Sequence, residues 1–400
     1  MLDLGEQCLT GVFPRRPGTA LTRGPLQLVR CQCDDGRDHC GLVQLSVSYP
    51  ALEMYGAGYG YRSGLNQSMV DHLRRKAQWL VQRAGPTAGD LILDIGSNDG
   101  TLLSFMPESG VVLVGMDPAA DKFGRYYPGH VLRIADFFSA AAWRRQLGER
   151  RARLVTSIAM FYDMEDPLDF ARQVRQVLTD DGYWHLEQSY LPLMLARNAY
   201  DTVCHEHVEY YALRQLNWIF ERSDLRLIDV ELNDVNGGSF AVTAVPKASP
   251  VPANRAAVDA VAAAEQADGL HLASTYEAFA RRVERHRDDL LRTLAELRAR
   301  GRTVIGYGAS TKGNVLLQYC GLGPRELPVI ADVNPDKFGC FTPGTDIPII
   351  SESEAKAMHP DCLLVLPWHF RANLIERERD FLRAGGSMLF PLPVIEMVGP

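Results

Sequence analysis

The sequence predicts an α/β protein with two successive parallel sheets, each covered by helices, following a small N-terminal module. Three features of the 400 residues indicate this fold class. Strand-like runs alternate with helical patterns after residue 67, the alternation restarts after Gly301, and a glycine-rich turn follows the first strand of each series. Such alternation is typical of parallel sheets with helices on both faces.

Residues 1–66 are rich in glycine, proline and turn residues, with short strand-like runs at Leu26–Val29 and Leu42–Ser46. We expect a small, loop-rich module here. Half of the eight cysteines of the chain fall in its first forty residues, which raises the question of a metal site. They are Cys8, Cys31, Cys33 and Cys40.

Residues 67–250 carry the first series. Apolar residues spaced by three and four predict a helix over Met69–Val81, and Leu225–Leu232 and Ser239–Val245 predict a closing antiparallel hairpin. The other expected strands are Leu91–Ile95, Val111–Met116, Leu154–Ala159 and Tyr183–Leu186. The expected helices between them are Thr101–Phe105, Ser139–Leu147 and Pro167–Leu178.

The remaining residues divide into a connector and a second α/β unit. An apolar stripe among many charged residues predicts one long amphipathic helix within residues 251–300. Residues 301–400 contain four short buried strand-like runs. These are Thr303–Tyr307, Leu327–Asp332, Leu363–Leu366 and Met388–Leu392.

Composition excludes several classes of function. A net charge of -7 argues against binding to nucleic acid, which needs a basic face. The sequence has no apolar run of ~18 residues and no signal-peptide pattern, so we expect neither a membrane span nor secretion. Sparse cysteines favour a reducing, cytoplasmic location. The sequence leaves the oligomeric state open.

The segment Leu91–Gly100 is a buried strand that runs directly into the first glycine-rich turn. Gly96 allows a sharp turn and close approach of a ligand to backbone N–H groups. About twenty residues on, Asp117 ends the next strand, where a carboxylate can accept hydrogen bonds from ribose hydroxyls. An acid within the turn, at Asp99, suits a cationic sulfonium better than a diphosphate.

Asp94–Gly100, Asp117 and the hairpin resemble the class I S-adenosylmethionine methyltransferases, which have a Rossmann-like sheet. The resemblance covers residues 70–246 and implies S-adenosylmethionine as cofactor. We assign seven residues to its binding: Asp94, Gly96, Asn98, Asp99, Asp117, Asp136 and Phe137. Asp136 and Phe137 follow the third strand, where an acid beside an aromatic surface suits an adenine ring.

Two further segments are candidates for catalysis. A polar insertion after the fifth strand ends in Cys204–Tyr211, which holds two histidines, two glutamates and two tyrosines. A histidine there can remove a proton while a neighbouring glutamate orients its imidazole. A zinc site at His205-x-His207 lacks a third ligand nearby. The glycine-rich loop around Tyr59 and Tyr61 could close over a substrate, or be a packed linker.

The second glycine-rich turn, Gly306–Asn314, carries hydroxyls and a lysine but no acid, which suits a diphosphate. Polar and aromatic groups at the ends of the next strands suit a nucleoside. We assign Ser310, Thr311, Lys312, Asn314, Asp332 and Trp368 to substrate binding. The alternative is an interaction unit with a similar, non-binding sheet.

Together these segments resemble the sugar C-methyltransferase family, over nearly the whole chain. The resemblance rests on Cys40–Leu45, Tyr59–Asn66, Asp94–Gly100, Glu206-His207 and Gly306–Asn314. It implies an N-terminal zinc module, a central methyltransferase domain and a C-terminal nucleotide-binding domain. The implied reaction methylates the carbon next to the ketone, with C3 preferred, of a nucleoside-diphosphate 4-keto-deoxysugar, through an enolate, in branched deoxysugar biosynthesis.

The resemblance also implies residue roles. His207 falls on the family's general base and Glu206 on the glutamate before it, and Tyr59 or Tyr61 falls on the active-site tyrosine. Tyr162 follows the fourth strand on the substrate side. Asn66, His205 and Tyr210 are assigned to the sugar.

For zinc, the resemblance implies four cysteines in two pairs. Cys40 matches, Cys31 or Cys33 can be its partner, and Cys8 is a candidate third ligand. The family's first pair is not present in this sequence, so both a zinc site and its loss stay open. Two other functions also stay open, a methyltransferase acting on oxygen or nitrogen of another small metabolite, and a scaffold with a degenerate cofactor pocket.

Overall fold

The computed structural model describes residues 1–32, 39–55, 60–108 and 110–399, which form three sheets with helices around them. The strands of this part of the chain are β1 (Leu2–Cys8), β2 (Arg23–Arg30), β3 (Val43–Leu45), β4 (Leu91–Ile95), β5 (Val112–Met116), β6 (Leu132–Ile134), β7 (Ala152–Ile158), β8 (Leu178–Ser189), β9 (Glu209–Tyr210), β10 (Leu225–Asn233), β11 (Ser239–Pro246), β12 (Val304–Tyr307), β13 (Ile330–Asp332), β14 (Ile349–Ser351), β15 (Cys362–Val365), β16 (Ser387–Phe390) and β17 (Glu396–Val398).

Helices cover both larger sheets. They are α1 (Ala51–Tyr55), α2 (Gln67–Ala84), α3 (Ala140–Leu147), α4 (Pro167–Val177), α5 (Leu191–Ala196), α6 (Leu213–Arg222), α7 (Arg255–Ala267), α8 (Ala273–Ala299), α9 (Thr311–Cys320), α10 (Glu352–Ala357), α11 (Arg371–Arg377) and α12 (Arg379–Arg383). Within the described ranges, we find no helix with the length and apolar character needed to cross a bilayer.

The central sheet has seven strands in the order β10-β11-β8-β7-β4-β5-β6. β4 to β8 pair in parallel, whereas β11 runs antiparallel to both β8 and β10. The expected hairpin is therefore confirmed. Leu93, in the middle of β4, is fully buried, which is why this strand reads as a continuous apolar run.

One expected helix is different in the structure. The segment Thr101–Phe105 forms only a short 3-10 turn at Leu103–Phe105. Pro107 follows, and Met106 is extended, as residues before proline prefer. The long amphipathic helix expected in the connector is present as α8, and the shorter α7 precedes it, because Gly269 takes a left-handed φ of 67° after α7 and turns the chain.

The C-terminal sheet has six strands in the order β14-β13-β12-β15-β16-β17, with only β17 antiparallel. The four expected strands are present. β14 and β17 were not expected, since three residues are too few to show an apolar pattern.

The N-terminal sheet is antiparallel, in the order β1-β2-β3-β9, and its last strand comes from the insertion after the central strand β8. Val43 of β3 pairs with Tyr210 of β9. One apolar core joins this sheet to the C-terminal sheet through α8, and Leu28, Phe279 and Ile305 are among its members. The N-terminal residues are thereby held close to the insertion that carries the candidate catalytic histidine.

Candidate active site

A cavity of about 340 Å³ opens at the carboxyl ends of the central strands. Its wall includes Gly96 after β4, Asp117 after β5 and Ala159 after β7. Ligands of open α/β sheets bind at this edge, where successive strands connect to opposite faces. Residues far apart in the chain are thereby gathered around one space.

The glycine-rich turn lies against this cavity. Gly96 has φ 71°, and a Cβ there would lie 2.9 Å from Cγ of Met160, so a side chain would meet the cavity wall. Asn98 donates its backbone N–H to Oδ2 of Asp117 at 2.9 Å, and Ala119 donates to Oδ1 at 2.6 Å. These bonds fix the Asp117 carboxylate at the edge of the cavity.

Asp94 at the end of β4 is buried and accepts a hydrogen bond from Oγ1 of Thr156 at 2.6 Å. Burial raises its pKa to about 7, with Asp117 nearby adding to the shift. A positively charged sulfonium bound nearby would stabilise the ionised form of this carboxyl group and so lower its pKa.

Asn98, which lines the cavity, and Asp99 also hold a neighbouring segment of the chain. Their side chains hold the segment Tyr61–Gly64, which we call the strap. Ser63 N–H donates to Oδ1 of Asn98 at 3.0 Å, and Gly64 N–H donates to Oδ2 of Asp99 at 3.0 Å. Asp99 is absent from the cavity wall, so its expected contact with the cofactor is corrected here to a contact with the strap.

Arg62 completes this attachment. Its Nε lies 3.4 Å from Oδ2 of Asp99, and its guanidinium stacks 3.6 Å from the ring centre of Tyr126. The charge of Asp99 is thus balanced by an arginine of the same chain. Tyr61, beside Arg62, lines the cavity with a half-exposed side chain.

Phe137 and Phe138 form an aromatic part of the wall, as an adenine ring would need. Asp136 is not part of the wall. Its carboxylate is half-exposed and pairs with Arg145 at 3.1 Å, so its expected contact with the cofactor is not present.

These groups fit S-adenosylmethionine. Asp117 presents a carboxylate for ribose hydroxyls, Phe137 and Phe138 offer a flat surface, and Asp94 is a buried acid for the positively charged end. Gly96 leaves the space that a side chain would fill.

His207 adjoins this cavity without being part of its wall. Its ring packs 4.2 Å from the ring of Tyr162, and the next residue, Val208, belongs to the wall. Nδ1 of His207 donates to the carbonyl oxygen of Thr202 at 2.9 Å, since a carbonyl can only accept. Burial, reinforced by the charge of Lys312, lowers the pKa of His207 to about 3. The imidazole is therefore neutral at pH 7, with Nε2 as its proton acceptor.

Glu206 does not orient this imidazole. Its carboxylate accepts a hydrogen bond from Oγ1 of Thr10 at 3.0 Å, and its carbonyl oxygen accepts one from Tyr55 at 2.8 Å. The expectation that Glu206 holds His207 is corrected: Thr202 does so. Glu206 lies in a turn that the N–H of His207 closes onto the carbonyl oxygen of Cys204 at 3.1 Å.

The other residues assigned to the sugar are placed away from the cavity. Asn66 caps α2 by accepting from the N–H of Ser68. His205 is buried edge-on against Tyr49, and Tyr210 is buried in β9. None of the three lines the cavity, so direct contact with a ligand there is not seen. Tyr59 lies outside the described residues.

The polar residues of the second glycine-rich turn are largely used within the fold. Ser310 caps α9, Asn314 donates to the carbonyl oxygen of Thr10, and Asp332 accepts from the N–H groups of Ala309 and Asn334. Thr311 is half-buried beside the N-terminal segment.

Lys312 and Trp368 of the C-terminal unit instead contact the central unit. Nζ of Lys312 donates to the carbonyl oxygen of Asn236 at 2.9 Å, and Nε1 of Trp368 donates to Asp201 at 2.7 Å. The expected nucleotide site inside the C-terminal turn is therefore not formed by these side chains.

The three described cysteines of this set, Cys8, Cys31 and Cys40, do not assemble into one site. Cys8 ends β1, opposite Arg23 at the start of β2, whereas Cys31 follows the far end of the same strand. Eight strand residues separate these ends by roughly 26 Å. Cys31 and Cys40 contact each other, and Cys33 is outside the described residues. Among the residues described, no three histidines, cysteines or acids are grouped to hold a metal.

Three acids of the cavity wall, Asp163, Glu165 and Glu187, were not found from the sequence. Glu187 accepts a hydrogen bond from His72 and pairs with Lys76 at 3.0 Å. Asp163 has a buried Oδ1 without a hydrogen-bond partner in the described part of the chain. Glu187 directly follows the expected strand Tyr183–Leu186, so the strand-end rule could have found it.

Comparison with known proteins agrees with this cofactor site. A family model described as a methyltransferase domain matches residues 69–230, and one described as a C-methyltransferase C-terminal domain matches residues 234–393. C-methyltransferase NovU of Streptomyces niveus is 35% identical over 371 residues, covering 92% of this chain and 86% of that protein.

Solved methyltransferases are similar over part of the chain. The 1,6-didemethyltoxoflavin-N1-methyltransferase of Burkholderia thailandensis, solved with S-adenosylhomocysteine, is 13% identical with a TM-score of 0.35, covering 55% of this chain and 99% of that one. Magnesium protoporphyrin IX methyltransferase of Synechocystis PCC 6803 is 15% identical with a TM-score of 0.35, covering 47% and 90%.

The relative and the two family models decide between the functions that the sequence left open. They favour methylation of carbon over methylation of oxygen or nitrogen, and an enzyme over a scaffold. The chain belongs to the C-methyltransferase family and is an S-adenosylmethionine-dependent C-methyltransferase with a class I methyltransferase fold.

Proposed function

We propose that the acceptor is a nucleoside-diphosphate 4-keto-deoxysugar, methylated at C3 beside the ketone, in branched deoxysugar biosynthesis. The observation that carries this proposal is the imidazole of His207, which the carbonyl oxygen of Thr202 holds through Nδ1 next to the wall residue Val208. A carbon next to a ketone becomes nucleophilic only after losing a proton, so a C-methyltransferase for such a sugar needs a base there.

His207 supplies that base. Nε2 accepts the proton from C3, and the electron pair of the broken C–H bond moves toward the ketone oxygen. The Thr202 carbonyl holds Nδ1–H during this step, so the ring keeps its orientation and tautomer. Tyr162, packed on the imidazole, restricts its rotation.

The developing enolate oxygen needs a hydrogen-bond donor. Tyr61 is our candidate, because its side chain lines the cavity and Nδ2 of Asn98 donates to its carbonyl oxygen at 3.1 Å. Asp163, with its free Oδ1 at the wall, would accept a hydrogen bond from a sugar hydroxyl or amine.

The cofactor would lie between Asp117 and the wall of Phe137 and Phe138, with its charged end toward Asp94. When bound, S-adenosylmethionine supplies the methyl group for the new carbon–carbon bond, and its sulfur keeps the electron pair of the broken bond.

Exchange of the sugar hydrogen with solvent tests the proposal. With S-adenosylhomocysteine in place of the methyl donor, the enzyme should exchange the C3 hydrogen of a nucleoside-diphosphate 4-keto-deoxysugar with deuterated water, as followed by NMR. His207→Ala should bind both ligands and exchange ~100-fold more slowly or not at all. Undiminished exchange in this variant would assign the base to another residue.

A further inference from the structure

A second cavity, of about 610 Å³, lies beside the catalytic one. It is a cleft between α2, the β10–β11 hairpin and the residues that follow β15 in the C-terminal unit. Met69, Val235 and Asn236 belong to the walls of both cavities. A ligand held at the methyl-transfer position can therefore extend past the hairpin into this cleft, which we call the interdomain cleft.

One face of α2 forms a wall of the interdomain cleft. Its residues there, among them His72, Arg75 and Trp79, are spaced by three and four, as neighbours on one helix face are. Arg75 is exposed, and in the described part of the chain no acid pairs with its guanidinium. An arginine left unpaired in this way can form a bidentate contact with a phosphate.

The opposite wall carries a complementary donor. Nδ1 of His369 is buried and has no hydrogen-bond partner in the described residues, although the residue lines the cleft. Leaving a buried polar atom without a partner costs free energy, which a ligand would recover. Lys312 adds a positive charge where the two cavities meet, because its Nζ is bound to Asn236.

The two acids of the cleft do not cancel these positive groups. Glu231 pairs with Lys76 at 3.5 Å, and Asp234 forms an ion pair with Arg197. Both carboxylates are mostly exposed and thus well solvated. The half-buried rings of Trp79 and Phe370 offer flat apolar surfaces to a nucleobase.

We propose that the interdomain cleft binds the nucleoside diphosphate part of the acceptor, with its phosphates between Arg75 and His369. This rests on the proposed function, because it takes the acceptor to be a nucleotide-linked sugar. It assigns the nucleotide to a face of α2 and to His369, instead of to the glycine-rich turn at Gly306–Asn314.

Calorimetric titration of the full-length enzyme with UDP, dTDP and inorganic diphosphate tests the assignment. Arg75→Ala and His369→Ala should each weaken binding of the preferred nucleoside diphosphate about tenfold or more, and leave S-adenosylhomocysteine affinity unchanged. Arg74→Ala is the matched control. Arg74 is the next residue of α2 but pairs with Asp71 and lies outside the cleft wall, so its loss should change neither affinity.

In methyl-transfer assays, Arg75→Ala should raise KM for the nucleotide sugar and leave kcat nearly unchanged. If the wild type binds a nucleoside diphosphate and both variants bind it as tightly as Arg74→Ala does, the cleft assignment is wrong while the acceptor class stands. If the wild type binds S-adenosylhomocysteine but neither nucleoside diphosphate, the acceptor class itself fails, and the cleft assignment fails with it.

Discussion

The carbonyl oxygen of Thr202 accepts the Nδ1–H of His207 at 2.9 Å, inside the insertion that follows β8. This bond selects one tautomer of the imidazole and aligns Nε2 as the only proton acceptor of the ring. The backbone, and not a neighbouring carboxylate, therefore orients the proposed base.

The pH dependence of catalysis should reflect this environment. Burial, reinforced by Lys312, lowers the pKa of His207 to about 3, so the neutral base is present at every pH above that value. We expect kcat/KM to show no acidic limb at about 6.5, where an ordinary histidine titrates. A pH–rate profile measures this directly. An acidic limb at about 6.5 would show that the surroundings of His207 do not lower its pKa.

Lys312→Met should move the pKa of His207 upward, because it removes one of the two causes that lower it. Titration of the histidine ring by NMR, compared between wild type and variant, measures the change. Arg298→Met, at the exposed end of α8, is a control that should leave the titration unchanged. Equal pKa values in wild type and Lys312→Met would exclude an electrostatic effect of Lys312 on the base.

Asp117→Ala should weaken binding of S-adenosylhomocysteine by about 1–3 kcal/mol, through loss of charge-assisted hydrogen bonds. Isothermal titration calorimetry provides the measurement. Asp136→Ala is the matched control, since this acid follows the neighbouring strand but pairs with Arg145 outside the wall. A larger loss for Asp136→Ala than for Asp117→Ala would reverse the two assignments.

Arg62→Ala should loosen the strap. The guanidinium contacts Asp99 and stacks on Tyr126, so its removal leaves the strap held by the hydrogen bonds that the backbone of Tyr61, Ser63 and Gly64 makes to the glycine-rich turn. We expect faster hydrogen exchange at the N–H groups of Ser63 and Gly64 and weaker cofactor binding, with little loss of global stability. Hydrogen–deuterium exchange measured by mass spectrometry tests this expectation. Unchanged protection of the two N–H groups would show that the backbone hydrogen bonds hold the strap without Arg62.

Lys76→Ala should destabilise the protein by about 3 kcal/mol. The substitution removes the ammonium group that balances the negative charge of the buried Glu187 carboxylate. Urea denaturation measures the free energy of unfolding. Arg292→Ala, which removes an exposed ion pair with Asp289, should cost under about 1 kcal/mol. Similar losses in both variants would mean that the Lys76–Glu187 pair is not stabilising the fold.

The same pair gives a pH dependence of stability. Although burial opposes it, hydrogen bonding from His72 and the charge of Lys76 lower the pKa of Glu187 to about 2. The stabilisation is complete above the unfolded value of about 4.3 and is lost as pH falls toward 2. In Glu187→Gln, unfolding free energies measured across that window should fall less steeply than in the wild type.

The sequence alone determined the strands and turns whose conformation depends on residues close together in the chain. The apolar strand Leu91–Ile95, the turn at Gly96 and the hairpin around Asn236 all follow from local patterns and backbone conformation. Asp117 could also be placed at the cavity from sequence, because parallel strands bring their carboxyl ends to one edge.

Only the tertiary structure decided which groups meet across the chain. Asp99 looked like a ligand for a cation, but Arg62, far from it in sequence, neutralises it. Lys312 looked like part of a local anion site, but its ammonium crosses to the carbonyl of Asn236. Local periodicity reports which face of an element is buried, whereas the partner of a charged side chain depends on how separate elements pack.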